Sequence, residues 1–239
     1  MIIKLDASAF DKCVSSDAVV GTFRMLAEQQ RVRRCAIIAP LPFHASAGTA
    51  TRFYSWGFDE QWVREYRQAI AAETDDIPDQ IMEKGRPVLW AESKSDLGIS
   101  SKNSAIAESF FRYHDDDGVS IPLFGPYGYQ VLLSLAFDTR LDHIDDPRIA
   151  QITDIGTIAH RRYAELFRAE TLPKWPLSAR EQQVLLQMAN GQSNKQSARH
   201  LGISPNSIDT YQRRIYQKLG VDDRTEAVVR GLSMGLIKL

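Results

Sequence analysis

The 239-residue sequence predicts an α+β domain followed by a small all-α domain. Strand-like and helix-like segments alternate as far as about residue 170, and every later segment has helical spacing. Between them, TLPKWP at 171–176 carries two prolines that stop a helix. We therefore expect an α-β-α layered domain with an antiparallel sheet over 1–170, a linker over 171–176 and a four-helix domain over 177–239.

The first domain is predicted to contain five strands and four helices. The strands are short apolar or β-branched runs, and the last two flank GPYG, a good hairpin turn; they cover 34–40, 51–56, 87–90, 118–124 and 129–137. The helices cover 60–73, 78–84, 104–114 and about 146–168. The last helix carries an apolar stripe, consisting of Ile149, Ile152, Ile155, Ile158, Tyr163 and Leu166.

The second domain is predicted to contain helices over 178–190, 193–200, 204–219 and 223–234, with glycines at or near their ends. Gly202, Ser204 and Pro205 form a tight turn between the second and third of these helices. The third helix has an apolar stripe facing inward and donor-rich residues facing outward. Such donors contact phosphates and base edges in a major groove, although a solvated face of a structural bundle has the same pattern. The outward residues are Asn206, Ser207, Asp209, Thr210, Arg213, Arg214, Gln217 and Lys218.

Composition and charge indicate a folded protein without a membrane segment. The chain is 44% apolar and 25% charged, and its apolar runs are far shorter than the roughly 20 residues that span a bilayer. The N-terminus has no signal-peptide pattern, and two cysteines, Cys13 and Cys35, suit reduced thiols in the cytoplasm. Residues 171–239 carry a net charge of +5 and residues 1–170 one of −6, as expected for a nucleic-acid-binding tail on another domain.

Four motifs of the second domain resemble the C-terminal helix-turn-helix domain of the LuxR type. They are LSAREQQVL, ANGQS, LGISPNSI and KLGVDDR, in ungapped order. The resemblance implies binding of double-stranded DNA by the outward residues above, with Lys195 and Arg199 of the preceding helix on phosphates. Glu181, Leu185 and Gly191 occupy scaffold positions of that family.

This domain departs from the family at Asp209, where a basic residue is usual, and at Gln192, often a lysine. Asp209 could accept a hydrogen bond from a cytosine amino group or be held by Arg213 one turn later.

LuxR-type output domains follow a phospho-receiver, a large ATPase or an acyl-homoserine-lactone pocket. The first 60 residues lack the strand–helix alternation and early acidic pair of a receiver, and the chain is too short for the ATPase type. The third kind matches residue by residue: Trp62, Tyr66, Asp75, Trp90 and Gly118 in GVSIP have the spacing of autoinducer-binding domains. The whole chain thus resembles a LuxR-family quorum-sensing regulator.

The resemblance implies how an N-acyl or aryl homoserine lactone would be bound. Asp75 would accept the ligand amide N–H, Trp62 would donate to the lactone carbonyl and Tyr66 to the acyl carbonyl. Trp90 would wall the lactone ring, and Ser134 stands where the family often has a hydroxyl near the amide. The plainer interpretation makes the three aromatic residues ordinary core and Asp75 a helix cap.

Two departures also concern this site. Asp76 replaces the proline that usually follows the aspartate, so Asp76 rather than Asp75 could face the ligand. Phe58 stands where some relatives carry a ligand-contacting tyrosine. An orphan regulator that responds to another metabolite or to no ligand is therefore the alternative.

An enzyme is disfavoured because the pocket positions include no nucleophile–base pair. No cofactor or metal is expected, and HDDDG at 114–118 is interpreted as a solvated turn. The expected partners are the autoinducer, DNA with a palindromic site, a second copy of the chain paired through the helix at 146–168, and RNA polymerase.

Overall fold

The computed structural model describes residues 8–39, 52–71, 77–92, 104–114, 117–125, 129–171 and 177–238. These residues form two compact units, one ending at Glu170 and one beginning at Thr171. Residues 172–176 of the predicted linker lie outside the described part of the chain, and Thr171 is the last residue of a helix. No helix among the described residues is long and apolar enough to cross a membrane.

The first unit is built on an antiparallel sheet, so the predicted α+β class is confirmed. Its strands are β1 (Val32–Ala39), β2 (Arg52–Trp56), β3 (Val88–Leu89), β4 (Val119–Phe124) and β5 (Gln130–Phe137), in the order β2-β1-β5-β4-β3. The central strands β1 and β5 are buried along nearly their whole length because both faces of the sheet are covered.

One face of the sheet is covered by α1 (Ser8–Asp11), α2 (Ser16–Gln29) and α6 (Pro147–Thr171). The predicted stripe of α6 is buried at Ile149, Ile152, Ile155 and Tyr163, but Ile158 and Leu166 are only partly buried. Residues spaced three apart do not stay on one face of a helix that has 3.6 residues per turn. In the later part of α6 the buried residues therefore include Ala159, Ala164 and Phe167.

The other face is covered by α3 (Glu60–Ala71), α4 (Ile77–Lys84) and α5 (Ser104–Tyr113). Their buried side chains pack on inward residues of the sheet such as Ile38, Phe53 and Leu132. Side chains alternate between the two faces of each strand, so the residues that face α3 and α5 are separate from those that face α6.

The second unit is a bundle of α7 (Ala179–Ala189), α8 (Asn194–Leu201), α9 (Pro205–Leu219) and α10 (Arg224–Ser233). Ser178 and Ser193 each form a capping box with the residue three positions later. Gly202 and Gly220 end α8 and α9 in the left-handed region, at φ 67° and 64°, where glycine carries no Cβ penalty. The four predicted helices are therefore present.

Candidate functional site

A row of small side chains crosses the sheet beneath α3 and α5. Ala36 of β1 pairs with Ser134 of β5, and Ser134 pairs with Ser120 of β4. Ser134 is the one inner residue of β5 that is partly exposed, although its strand is central. Three small residues therefore lie side by side on the face of the sheet that α3 and α5 cover.

Aromatic rings cover this row of small side chains from above. Trp62 and Tyr66 lie one turn apart on α3 and stack with ring centroids 4.9 Å apart and an interplanar angle of 14°. Phe58 packs on Trp62 at 4.8 Å, and Phe110 of α5 meets Trp62 edge to face at 5.5 Å. No described residue accepts a hydrogen bond from the indole N–H of Trp62, whereas its backbone N–H donates to Asp59 Oδ1 at 3.2 Å.

Trp90 is fixed by hydrogen bonds to β4. Its indole Nε1–H donates to Ser120 Oγ at 3.1 Å, and the two hydroxyls of Ser120 and Ser134 lie 2.9 Å apart. Its backbone N–H donates to the carbonyl of Gly118 at 2.9 Å. A Cβ at Gly118 would lie 2.3 Å from the Trp90 ring, so only glycine lets the indole lie this close to the backbone. Ser120 is the serine of the GVSIP motif, and the structure shows that its hydroxyl accepts the hydrogen bond from Trp90.

His114 is a second residue with a role that the sequence analysis does not predict. Its Nε2 accepts the backbone N–H of Asp59 at 3.1 Å, and its Nδ1 lies 3.2 Å from the carbonyl of Phe110. Since a carbonyl only accepts, Nδ1 carries the proton and the ring is the neutral tautomer with an Nε2 lone pair. His114 also packs edge-on against Trp62 at 5.3 Å. It thus ties the end of α5 to the start of the helix that carries Trp62 and Tyr66.

The interpretation of HDDDG at 114–118 as a solvated turn is wrong for His114 and Asp117, the two polar residues of this segment that the structure describes. His114 is buried as described above, and Asp117 accepts the N–H of Leu141 at 2.9 Å and lies 3.7 Å from Arg33. These contacts fix the entry to β4. The described residues include no group of His, Cys, Asp and Glu that could hold a metal ion.

The structure brings together Phe58, Trp62, Tyr66 and Trp90 in one buried cluster, with Ser134 on the sheet beneath it. Asp75 and Asp76 lie outside the described residues, so their role stays a prediction. Cys13 and Cys35 are buried free thiols, and burial raises the pKa of Cys35 far above its usual range.

In the second unit, α8 and α9 carry the predicted DNA-contacting residues. Ile208, Ile215 and Leu219 are buried on the inner side of α9, whereas its outer side is open. The Ser207 hydroxyl lies 2.9 Å from that of Ser204, and the Thr210 hydroxyl donates to the carbonyl of Asn206. The predicted residues that are exposed are Lys195, Arg199, Asn206, Asp209, Arg213, Arg214, Gln217 and Lys218.

Asp209 is held by a residue of the preceding helix. Asn194 Nδ2 donates to Asp209 Oδ1 at 2.5 Å and to Gln212 Oε1 at 3.0 Å, and Gln212 Nε2 donates back to Asn194 Oδ1 at 2.9 Å. The proposed pairing with Arg213 is therefore replaced by a contact from α8. Arg213 has no ion pair to any described residue and stays exposed.

Lys218 forms an ion pair with Glu181 at 2.7 Å. The Glu181 side chain is only 3% exposed, and the same carboxylate accepts the backbone N–H of Ser178. Burial alone raises the pKa of Glu181, but the hydrogen bonds from Lys218 and Ser178 lower it more, so its pKa lies below the usual range. Lys218 therefore neutralises a buried carboxylate of the bundle, and Glu181 has a scaffold position.

Comparisons with known proteins assign each of the two units to a domain family. The model of the autoinducer binding domain matches residues 15–165, and that of bacterial regulatory proteins of the luxR family matches residues 175–230. The HTH-type regulator y4qH of Sinorhizobium fredii is 27% identical over 154 residues, which make up 64% of this chain and 47% of that protein. This chain thus spans about half the length of that relative.

Solved structures share the fold at low identity. Escherichia coli SdiA superposes with a TM-score of 0.69 at 18% identity, covering 97% of this chain and 95% of that one. SdiA in complex with octanoyl-rac-glycerol gives the same TM-score at 17% identity and covers 98% and 97%. CepR2 of Burkholderia cenocepacia, an N-acylhomoserine-lactone-dependent factor, has a TM-score of 0.51 at 17% identity, covering 67% and 92%. With an autoinducer-binding domain followed by a helix-turn-helix domain, the chain belongs to the luxR family of bacterial regulatory proteins, which are transcriptional regulators and not enzymes.

Proposed function

We propose that this regulator responds to an N-acyl or aryl homoserine lactone bound between the sheet and helices α3 and α5. The observation that carries this proposal is the convergence of Trp62, Tyr66 and Trp90 above Ser134. A homoserine lactone carries one amide N–H and two carbonyl groups, and each of these needs a partner when buried or costs roughly 1–3 kcal/mol.

The described residues supply hydrogen-bond donors and a flat aromatic surface for such a ligand. The indole N–H of Trp62 is available to a lactone carbonyl, and the Ser134 hydroxyl lies at the partly exposed point of β5. The indole of Trp90, anchored on Ser120, gives a flat surface for the ring. Asp75 is the proposed acceptor of the ligand amide N–H, and Asp76 is the alternative acceptor.

Ligand binding would be coupled to DNA binding through formation of a homodimer. In this proposal, α6 of two copies pairs them, and their α9 helices read a palindromic site with half-sites about one helical turn apart. The regulator would act in the cytoplasm, where the bacterial chromosome lies, and would contact RNA polymerase at the promoter. The open, basic outer side of α9 supports the DNA-contacting half of the proposal.

A second ligand class is favoured by one comparison. The fold is similar to that of SdiA, which has been solved with octanoyl-rac-glycerol. Phe58 also places a ring without a hydroxyl 4.8 Å from Trp62, which makes that end of the cluster more apolar. An acylglycerol would use the same hydroxyl and indole donors and would replace the lactone amide by an ester.

Melting of the purified full-length chain with each candidate ligand tests the proposal. A ligand that binds only the folded state raises the free energy of unfolding by RT ln(1 + [L]/Kd), which is about 2.7 kcal/mol at a ligand concentration of one hundred times Kd. We expect the melting temperature to rise with an N-acyl or aryl homoserine lactone. It should not rise with homoserine lactone that lacks the acyl or aryl group. A rise with octanoyl-glycerol alone would support the second class, and no rise with either class would support an orphan regulator.

A further inference from the structure

We infer that Asn194, Asp209 and Gln212 form a preset recognition group that selects a cytosine in the DNA site. The inference rests on the proposed DNA function and assigns its base specificity at one position of each half-site. Asp209 and Asn194 lie on different helices of the helix-turn-helix element, and their contact fixes a carboxylate on the outer side of α9.

The hydrogen bonds of this group are fully determined by the chemistry of its members. A carboxylate only accepts, so the Asn194 amide must turn its NH₂ toward Asp209. One N–H then donates to Asp209 Oδ1 and the other to Gln212 Oε1, while the Asn194 oxygen accepts from Gln212 Nε2. Both N–H donors of the Asn194 side chain are therefore engaged, and the Asn194 and Gln212 amides each donate to the oxygen of the other.

Asp209 Oδ1 is engaged, whereas no described residue donates to its Oδ2. An exposed acceptor pointing at a major groove has defined preferences. Guanine presents the acceptors N7 and O6 and thymine presents O4, so each repels a carboxylate. Cytosine presents an N4 amino donor with only a C–H beside it, whereas adenine places the N7 acceptor next to its amino group. A carboxylate therefore favours cytosine and rejects the other three bases.

Asn194 is a positioning residue in this arrangement. It is the first residue of α8, whose start is fixed by the capping box of Ser193 and Gln196. Without Asn194, the Asp209 side chain is free to turn toward Arg213 one turn along α9, where an ion pair would neutralise it. Holding Asp209 away from this partner keeps a negative charge available to the base.

Selection from a random-sequence duplex library tests the inference with the full-length chain, purified with and without N-octanoyl homoserine lactone. We expect the wild-type chain to enrich sites with cytosine at one position of each half-site, by roughly 5- to 150-fold over other bases. Asp209→Asn should lose this preference and gain adenine, whose N6 and N7 match a carboxamide. Asp145→Asn, which removes an exposed carboxylate of the first unit, is the charge control and should keep cytosine.

Asn194→Ala separates positioning from folding. Asn194→Ala should reduce the cytosine preference severalfold more than it reduces the affinity for scrambled duplex, and a cooperative melting transition of the second unit shows that the variant is folded. A cytosine preference that Asp209→Asn leaves unchanged would overturn the inference while the DNA function stands. An Asn194→Ala variant with full discrimination would overturn the positioning role, and a wild-type chain that enriches no sequence would contradict the proposed function itself.

Discussion

Substitution of Gly118 by alanine should damage the first unit severely because the Trp90 ring occupies the space of the new methyl group. The added Cβ would lie 2.3–2.5 Å from three ring atoms. Carbon atoms pack at about 3.5–4.0 Å, so the indole must retreat by about 1 Å or more. This movement breaks the 3.1 Å bond from Trp90 Nε1 to Ser120 and disturbs the surface above Ser134.

The expected loss of stability combines two effects. Overpacking costs about 1–3 kcal/mol, and an unsatisfied buried donor costs about 1–3 kcal/mol. Because the surrounding side chains relax in part, we expect the free energy of unfolding to fall by about 2–4 kcal/mol in total. One kcal/mol corresponds to about 2–4 °C for 150–250 residues, so the melting temperature of the first unit should fall by about 4–16 °C. Calorimetry of the full-length chain measures it.

Gly21→Ala is the matched control. Gly21 lies in the interior of α2, and a Cβ there meets no atom within 4 Å. Replacing an exposed helical glycine by alanine stabilises by about 0.5–1 kcal/mol, so this variant should melt slightly higher than the wild type. If Gly118→Ala also melts at or above the wild-type temperature, the account of Gly118 and Trp90 is refuted.

Three further predictions concern charges. Lys218→Met should destabilise the second unit at pH 7 by about 1 kcal/mol, since its half-exposed cation is partly screened. Because the folded pKa of Glu181 is lowered, its contribution is complete above the ordinary carboxyl pKa and is lost as pH falls through the folded value, so Lys218→Met should flatten the acid dependence of unfolding. Asp75→Asn should weaken lactone binding by about 2–4 kcal/mol in titration calorimetry, and unchanged affinity would point to its neighbour. Arg213→Ala should lose about 1–3 kcal/mol on cognate DNA but little on random DNA, whereas Lys195→Ala should weaken both and reduce the salt slope by about one. Equal losses for Arg213→Ala on both duplexes would remove it as a base reader.

The fold beyond residue 30 could be predicted because its periodicity and turn residues are clear, whereas α2 was missed. Its buried residues Val19, Phe23 and Ala27 do recur every four positions behind the capping Ser15. The interior Gly21 and the adjoining β-branched residues weaken the helical pattern, and only packing against the sheet compensates for this.

The candidate site could be predicted only where a motif spacing exists. Trp62, Trp90 and Ser120 belong to such a spacing. The motif does not give the partner of Ser120, and His114 and Asn194 lie outside the motif and contact residues that are distant in sequence. A pairing between Asn194 and Asp209 depends on how two helices cross the turn at Gly202. Sequence spacing along one helix instead suggested Arg213, since residues four apart are neighbours on a helix surface.

Ligand-dependent DNA binding tests the central claim most directly. The measurement is fluorescence anisotropy of a duplex selected by the full-length chain, titrated with protein in the presence and absence of a homoserine lactone that raises its melting temperature. The account predicts that the lactone changes the affinity for this duplex and that the change disappears in Gly118→Ala. Identical binding curves with and without a lactone that demonstrably binds would contradict the coupling of the two units.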